Sequence, residues 1–293
     1  MSVLICDSNS EVWFSRLEAL GMDFISMPYL IEDKEYYYDL GKNTDFSYFY
    51  GAVKNGAIPK TMALNPDDYK AYLTPYFERG EDVLYVSFSH AMSGTFNQLE
   101  VALKELKEIY PERKCTVFNT NSISLGAGIQ VEEAGRLKKE GKSDEEILAR
   151  LKDFTNRVAI YFVVDDLMHL KRGGRLTATA AFAGTVLGIK PILTIDKNGA
   201  LAVYEKQMGK KKALRSLADK VIVGAKVEHP VYIIQADCEE DGDFVENLIK
   251  EKRPELTIIK QIVGPVIGSH CGQGTVGVIF EAEQRPIPLE GKE

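Results

Sequence analysis

Residues 82–97 read Asp82-Val83-Leu84-Tyr85-Val86-Ser87-Phe88-Ser89-His90-Ala91-Met92-Ser93-Gly94-Thr95-Phe96-Asn97. The first seven are an almost unbroken β-rich apolar run bounded by polar residues, the pattern of a strand buried on both faces. Residues 89–93 form a short polar turn, and the spacing beyond it predicts a helix from about Gly94 to Ile109. A buried strand feeding a helix through a polar loop is the repeating unit of a parallel sheet covered by helices, so the expected class is α/β.

The same rhythm extends in both directions. Toward the N-terminus, residues 2–6 predict a strand and residues 10–20 a helix closed by Gly21. Asn65-Pro66-Asp67-Asp68 predicts a helix start, because Asn65 can cap free amides, proline suits the first turn and two carboxylates complement the dipole. That helix runs toward Gly80, with a kink expected at Pro75. Toward the C-terminus, residues 115–118 read as a strand, followed by a small-residue helix from Gly126 onward. Ser143-Asp144-Glu145-Glu146 has the capping-box spacing and opens a further helix.

Two domains are expected, 1–155 and 156–293. The first is a mainly parallel sheet flanked by helices, and the second an α/β unit with a mixed sheet. In the second, residues 159–164, 231–235, 257–261 and 276–280 predict strands, and 211–223 and 242–251 helices. Strands at 191–195 and 201–204 flank Asn198-Gly199, a sequence suited to a tight antiparallel hairpin.

Composition narrows the function. The chain has 293 residues, 45% hydrophobic and 27% charged, enough to bury a substantial core. Its net charge of −7 disfavours broad affinity for nucleic-acid backbones or anionic membrane surfaces. The N-terminal apolar run lacks a basic region and ends early at Asp7, unlike a signal peptide, and no apolar stretch has the length of a transmembrane segment. A cytoplasmic location is therefore expected. Cys6, Cys115, Cys238 and Cys271 are scattered without a paired spacing, which suits reduced thiols and no metal site.

In open α/β sheets ligands sit beyond the carboxyl ends of strands, near unpaired helix-start amides. Three such segments carry hydroxyls, glycine amides or an imidazole, a set suited to an anion: Thr61, before the cap at Asn65; Ser93-Gly94-Thr95; and Ser269-His270-Cys271-Gly272-Gln273-Gly274. Taken singly, Thr61 reads more readily as a satisfied loop or capping hydroxyl than as a ligand contact, and Ser93 as a helix N-cap.

These segments belong to a longer ordered set: Cys6-Asp7-Ser8, Thr61-Met62-Ala63-Leu64-Asn65-Pro66, Ser93-Gly94-Thr95-Phe96-Asn97, Asn121 through Gly128, Leu170-Lys171-Arg172-Gly173-Gly174-Arg175-Leu176, Gly188-Ile189-Lys190-Pro191-Ile192, and Gly264 through Gly274. Together they resemble the DegV family, whose members bind fatty acids and in some bacteria form the acyl-carrying subunit of a fatty acid kinase. The resemblance implies a two-domain DegV-like fold with the lipid site between the domains. It implies a long-chain fatty acid as ligand, with no other cofactor, its carboxylate held by Thr61, Ser93, the amides around Gly94, and His270. Asn65, Thr95 and Ser269 would stand behind these residues. The acyl chain would be buried in the second domain, bordered by an apolar helix over 180–189. Lys171, Arg172 and Arg175 would dock a partner kinase, which supplies the chemistry, leaving this chain a carrier and not an enzyme. Two departures are visible: family members commonly have Thr-Ser-Gln-Pro-Ser where this chain has residues 61–65, and proline where it has Gln273.

The alternative from another class is a serine hydrolase or esterase with Ser93 as nucleophile, His270 as base and Asp7 or Asp165 as orienter. Ser93 lacks the Gly-x-Ser-x-Gly elbow. The run Lys171-Arg172-Gly173-Gly174-Arg175 lacks the phosphate-loop spacing and reads otherwise as a helix-ending turn.

Overall fold

The computed structural model describes residues 2–175 and 188–289. The chain divides into two compact units, 1–44 with 61–155, and 45–60 with 156–293.

The first unit is built on a four-stranded parallel sheet of β1 (Val3–Asp7), β2 (Asp23–Ile25), β6 (Val83–Ser87) and β7 (Cys115–Asn119), in the order β2-β1-β6-β7. β6 is buried at every residue, as its continuous apolar run requires. The chain leaves β1 toward β2 on one side and β6 toward β7 on the other, so the topological switch lies between β1 and β6. The crossovers include α1 (Phe14–Leu20), α3 (Pro66–Glu78) and α4 (Thr95–Ile109), and α5 (Leu125–Lys139) and α6 (Asp144–Thr155) follow β7. Fully buried Glu133 on α5 is bonded by Arg150 of α6 at 2.7 Å, which joins those two helices. β3 (Pro28–Ile31), β4 (Lys34–Tyr37) and β5 (Lys60–Thr61) form a small sheet in the order β4-β3-β5.

The capping signals resolve as read. Asn65 and Asp68 exchange side-chain-to-backbone bonds of 2.9 and 3.0 Å in a reciprocal box, and Ser143 and Glu146 do the same at 2.8 and 3.2 Å. The first helix begins later than its sequence suggests. Ser8–Ser10 form a 3-10 turn and Glu11 takes a left-handed backbone, φ 57°, so regular helix is postponed to Phe14.

The second unit carries a six-stranded mixed sheet ordered β10-β9-β8-β13-β11-β12, comprising β8 (Val158–Val163), β9 (Ile189–Ile195), β10 (Leu201–Met208), β11 (Val231–Gln235), β12 (Ile258–Ile262) and β13 (Val276–Glu281). α8 (Lys210–Gly224) and α9 (Glu239–Lys252) pack Leu217, Val221, Val245 and Ile249 into its core. The β9–β10 hairpin is present, but its turn is not the two-residue form that Asn198-Gly199 favours. Asp196 accepts from Asn198 N and Ala200 N at 2.8 and 2.9 Å, and Gly199 takes the left-handed conformation, φ 86°.

Two short helices complete this unit, α7 (Leu167–Arg172) and α10 (Pro265–Cys271), together with α2 (Phe46–Lys54) from the early segment. The expected division at 155/156 thus leaves out one exchange, since 45–60 joins the second unit. There the Tyr50 hydroxyl donates to Val263 O at 2.7 Å. The helix expected over 180–189 lies, up to residue 187, outside the described residues; Ile189 opens β9.

Candidate functional site

In the first unit the polar residues cluster at the carboxyl ends of β1, β6 and β7. Asp7 closes β1 with its carboxylate fully buried, accepting from Phe88 N at 2.9 Å, the Tyr85 hydroxyl at 2.8 Å and Asn9 N at 3.1 Å. Burial pushes its carboxyl up to about 6 against the opposing pull of those donors. Ser89 N donates to Ser122 O at 3.0 Å, so the loop after β6 is fixed to both neighbouring loops. His90, one residue on, has Nε2 2.9 Å from Ser87 Oγ and stacks on Phe96 with centroids 4.0 Å apart. The three-residue spacing of Ser87 and His90 carries no recognisable motif, so nothing local in the sequence announces this anchor.

Ser93 therefore follows a pinned turn. Its Oγ accepts from Thr95 N at 3.4 Å, and regular helix starts at Thr95. Gly94 is exposed, with open space where a Cβ would stand. Thr61 ends β5 and is partly exposed, and the next residue, Met62, donates its N–H to Pro28 O at 3.3 Å. Asn65 is committed to its capping box. Thr95 is 1% exposed, with Leu64 N donating to its Oγ1 at 3.2 Å and the Tyr69 hydroxyl 2.9 Å from the same atom.

In the second unit the glycine-rich segment around His270 is not the loop its composition suggests. Pro265 at the first helical position starts α10, which carries Ser269 and His270. The Ser269 hydroxyl donates to Pro265 O at 2.6 Å and is occupied within its own helix. Burial, reinforced by the positive charge of Arg175, lowers the His270 imidazole to about 4, so it is neutral at physiological pH.

Two segments a hundred residues apart explain each other's glycines. A Cβ on Gly173 would stand 2.2 Å from His270 Nδ1, and one on Gly272 2.4 Å from His169 Cδ2. On the other side of α10, a Cβ on Gly268 would meet the Tyr50 hydroxyl at 2.8 Å. The helix bearing His270 is thereby wedged between α7 and α2. Gln273, at one of the departures from the family pattern, donates to Asp237 at 2.6 Å.

At the end of α7, Lys171 and Arg172 are exposed, and Gly174 takes φ 69° to close the helix. Arg175 departs from a solvated helix end. It is half-buried, donates to Gly173 O at 2.5 Å, and acts electrostatically on His270. The two carboxylates available to a hydrolase are engaged elsewhere: Asp7 by its three donors, and Asp165 by Lys190 at 3.2 Å and Lys210 at 2.9 Å. Among the described residues no group of side chains has the make-up of a metal site, and no helix is long and apolar enough to cross a membrane.

A family model described as "Uncharacterised protein, DegV family" matches residues 2–283. The chain belongs to the DegV family. A DegV domain-containing protein of Clostridium perfringens is 35% identical over 281 residues, covering 95% of this chain and 96% of that protein. The solved structure of a DegV family protein from Thermus thermophilus, described by its fatty acid binding, superimposes with a TM-score of 0.83 at 27% identity, covering 96% of this chain and 99% of the other. DegV of Bacillus subtilis, described as a fatty acid binding protein, gives 0.81 at 27% identity and the same coverage. The α/β architecture, a parallel sheet in one unit and a mixed sheet in the other, is thus the DegV fold.

Proposed function

We propose that this chain binds a long-chain fatty acid and presents its carboxylate to a partner kinase for acyl-phosphate formation. The observation that carries the reading is the near full-length likeness to DegV structures described as fatty acid binding. Thr61, Ser93, the amides around Gly94, and His270 hold the carboxylate, with Thr95 behind the first two and Arg175 adding positive potential beside the imidazole. A neutral imidazole offers one N–H to a carboxylate oxygen without the desolvation cost of a buried cation. Burying the acyl chain contributes about 0.8 kcal/mol per methylene, so the tail supplies affinity and the head group supplies orientation. Exposed Lys171 and Arg172 form the kinase contact.

The carrier reading accounts for Asp7 and Asp165 being engaged in local networks rather than with an imidazole. Titration with hexadecanoic acid tests it. The wild type should bind, and Thr61→Ala, Ser93→Ala and His270→Ala should each weaken binding, while acyl phosphate should form only with kinase and ATP both present. Ester turnover by the isolated chain that disappears in Ser93→Ala would replace the carrier with a hydrolase.

A further inference from the structure

Resting on the carboxylate-clamp reading, we propose that Thr95 is the positioning residue that sets the spacing of the Thr61 and Ser93 hydroxyls, and so the preference for an acid head group over an uncharged one. Its three polar links reach each segment that matters. The Thr95 N–H donates to Ser93 Oγ at 3.4 Å, which turns the serine's own proton away from the helix and leaves it to donate outward. Thr95 Oγ1 accepts from Leu64 N at 3.2 Å, fixing the loop three residues beyond Thr61. The same oxygen lies 2.9 Å from the hydroxyl of Tyr69, which is fully buried on α3.

One threonine thus ties the start of α4, the loop before α3, and α3 itself. Both of its side-chain functions are needed there. The γ-methyl group occupies a position that is 1% exposed, while the hydroxyl accepts from Leu64 N, whose residue is also 1% exposed. Valine has the same shape but no acceptor, so it preserves packing while releasing Leu64 N and the Tyr69 hydroxyl. The loop carrying Thr61 then loses its link to the helix start that carries Ser93. A carboxylate bound by two hydroxyls senses that change directly, because its two oxygens require donors at a fixed separation. A head group with a single oxygen, such as an alcohol, does not.

The test compares hexadecanoic acid with 1-hexadecanol, which share a tail and differ in the head group. Affinities are measured by competition against one fluorescent long-chain probe. The wild type should favour the acid. Thr95→Val should lower the acid-over-alcohol ratio about tenfold, the loss typical of one hydrogen bond to a charged group. Thr95→Ser should restore most of it, and Tyr69→Phe, which keeps the Leu64 bond, should lower it by a smaller factor. Equal weakening of acid and alcohol in Thr95→Val would make the residue merely structural and overturn the proposal. Should Thr95→Val fail to fold, an unchanged ratio in Tyr69→Phe overturns it, whereas a fall there, with the ratio largely kept in Thr95→Ser, supports it. A wild type that shows no preference for the acid would instead remove the clamp reading beneath it.

Discussion

Gly173→Ala is the most discriminating substitution available at the site. Gly173 has φ −71° and ψ −5°, an ordinary right-handed conformation that alanine adopts without strain. Only space opposes the change: the new methyl would stand 2.2 Å from His270 Nδ1, 3.1 Å from Cε1 and 3.3 Å from Cγ. The imidazole must move, and overpacking of this kind costs about 1–3 kcal/mol. His270 also reports the movement. Its folded pKa of about 4, against 6.5, means that the unfolded chain takes up the proton first. Stability from this residue is complete above 6.5 and declines as pH falls toward 4, by about 3 kcal/mol in all. In Gly173→Ala the displaced ring should titrate nearer 6.5, and that acid-side decline should shrink. The control is Gly174→Ala, where φ is 69° and no atom lies within 4 Å of a new Cβ. It should cost about 1 kcal/mol through backbone strain alone and leave the His270 titration unchanged. Urea denaturation at pH 7.5 and 4.5, with proton NMR titration of the histidines assigned through His270→Asn, reads both quantities. An unaltered His270 titration with unaltered stability in Gly173→Ala would refute the wedge.

Further outcomes follow from the same geometry. Tyr50→Phe removes the bond to Val263 O just ahead of α10 and should cost about 1 kcal/mol in urea denaturation, more if the carbonyl is left unsatisfied. Asn65→Ala opens the reciprocal cap of α3 and should cost about 0.5–2 kcal/mol by the same measurement. Asp7 has the opposite pH sign to His270. Its folded pKa is raised from 3.8 to about 6, so its contribution is complete below 3.8 and is lost as pH rises through 6. Asp7→Asn should abolish that slope in stability measured from pH 3.5 to 7.

The features legible in the sequence are those whose causes are local. The caps at Asn65 and Ser143 act on amides three residues away, and the buried run of β6 states its own burial. The hairpin after β9 was legible in position but not in type, because the Asp196 side chain, two residues upstream of Asn198, organises the turn. Partners distant along the chain were not legible. Nothing near Tyr50 indicates that its hydroxyl meets Val263, and so the assignment of 45–60 to the second unit was invisible. The glycines at 173, 268 and 272 suggest loop chemistry when read alone. Their purpose is close approach to His270, Tyr50 and His169, which only the fold brings near. Arg175 likewise looks like one of three solvated cations until its burial beside His270 is seen.

The proposed binding of a fatty acid by its carboxylate should leave a mass signature on the protein. Native mass spectrometry of the protein, purified without detergent and then incubated with hexadecanoic acid, tests it most directly. A one-to-one adduct of a single long-chain fatty acid is expected on the wild type, with a marked loss of that adduct in the Thr61→Ala, Ser93→Ala double variant. A wild-type chain that neither retains nor takes up any acyl chain under these conditions would contradict it.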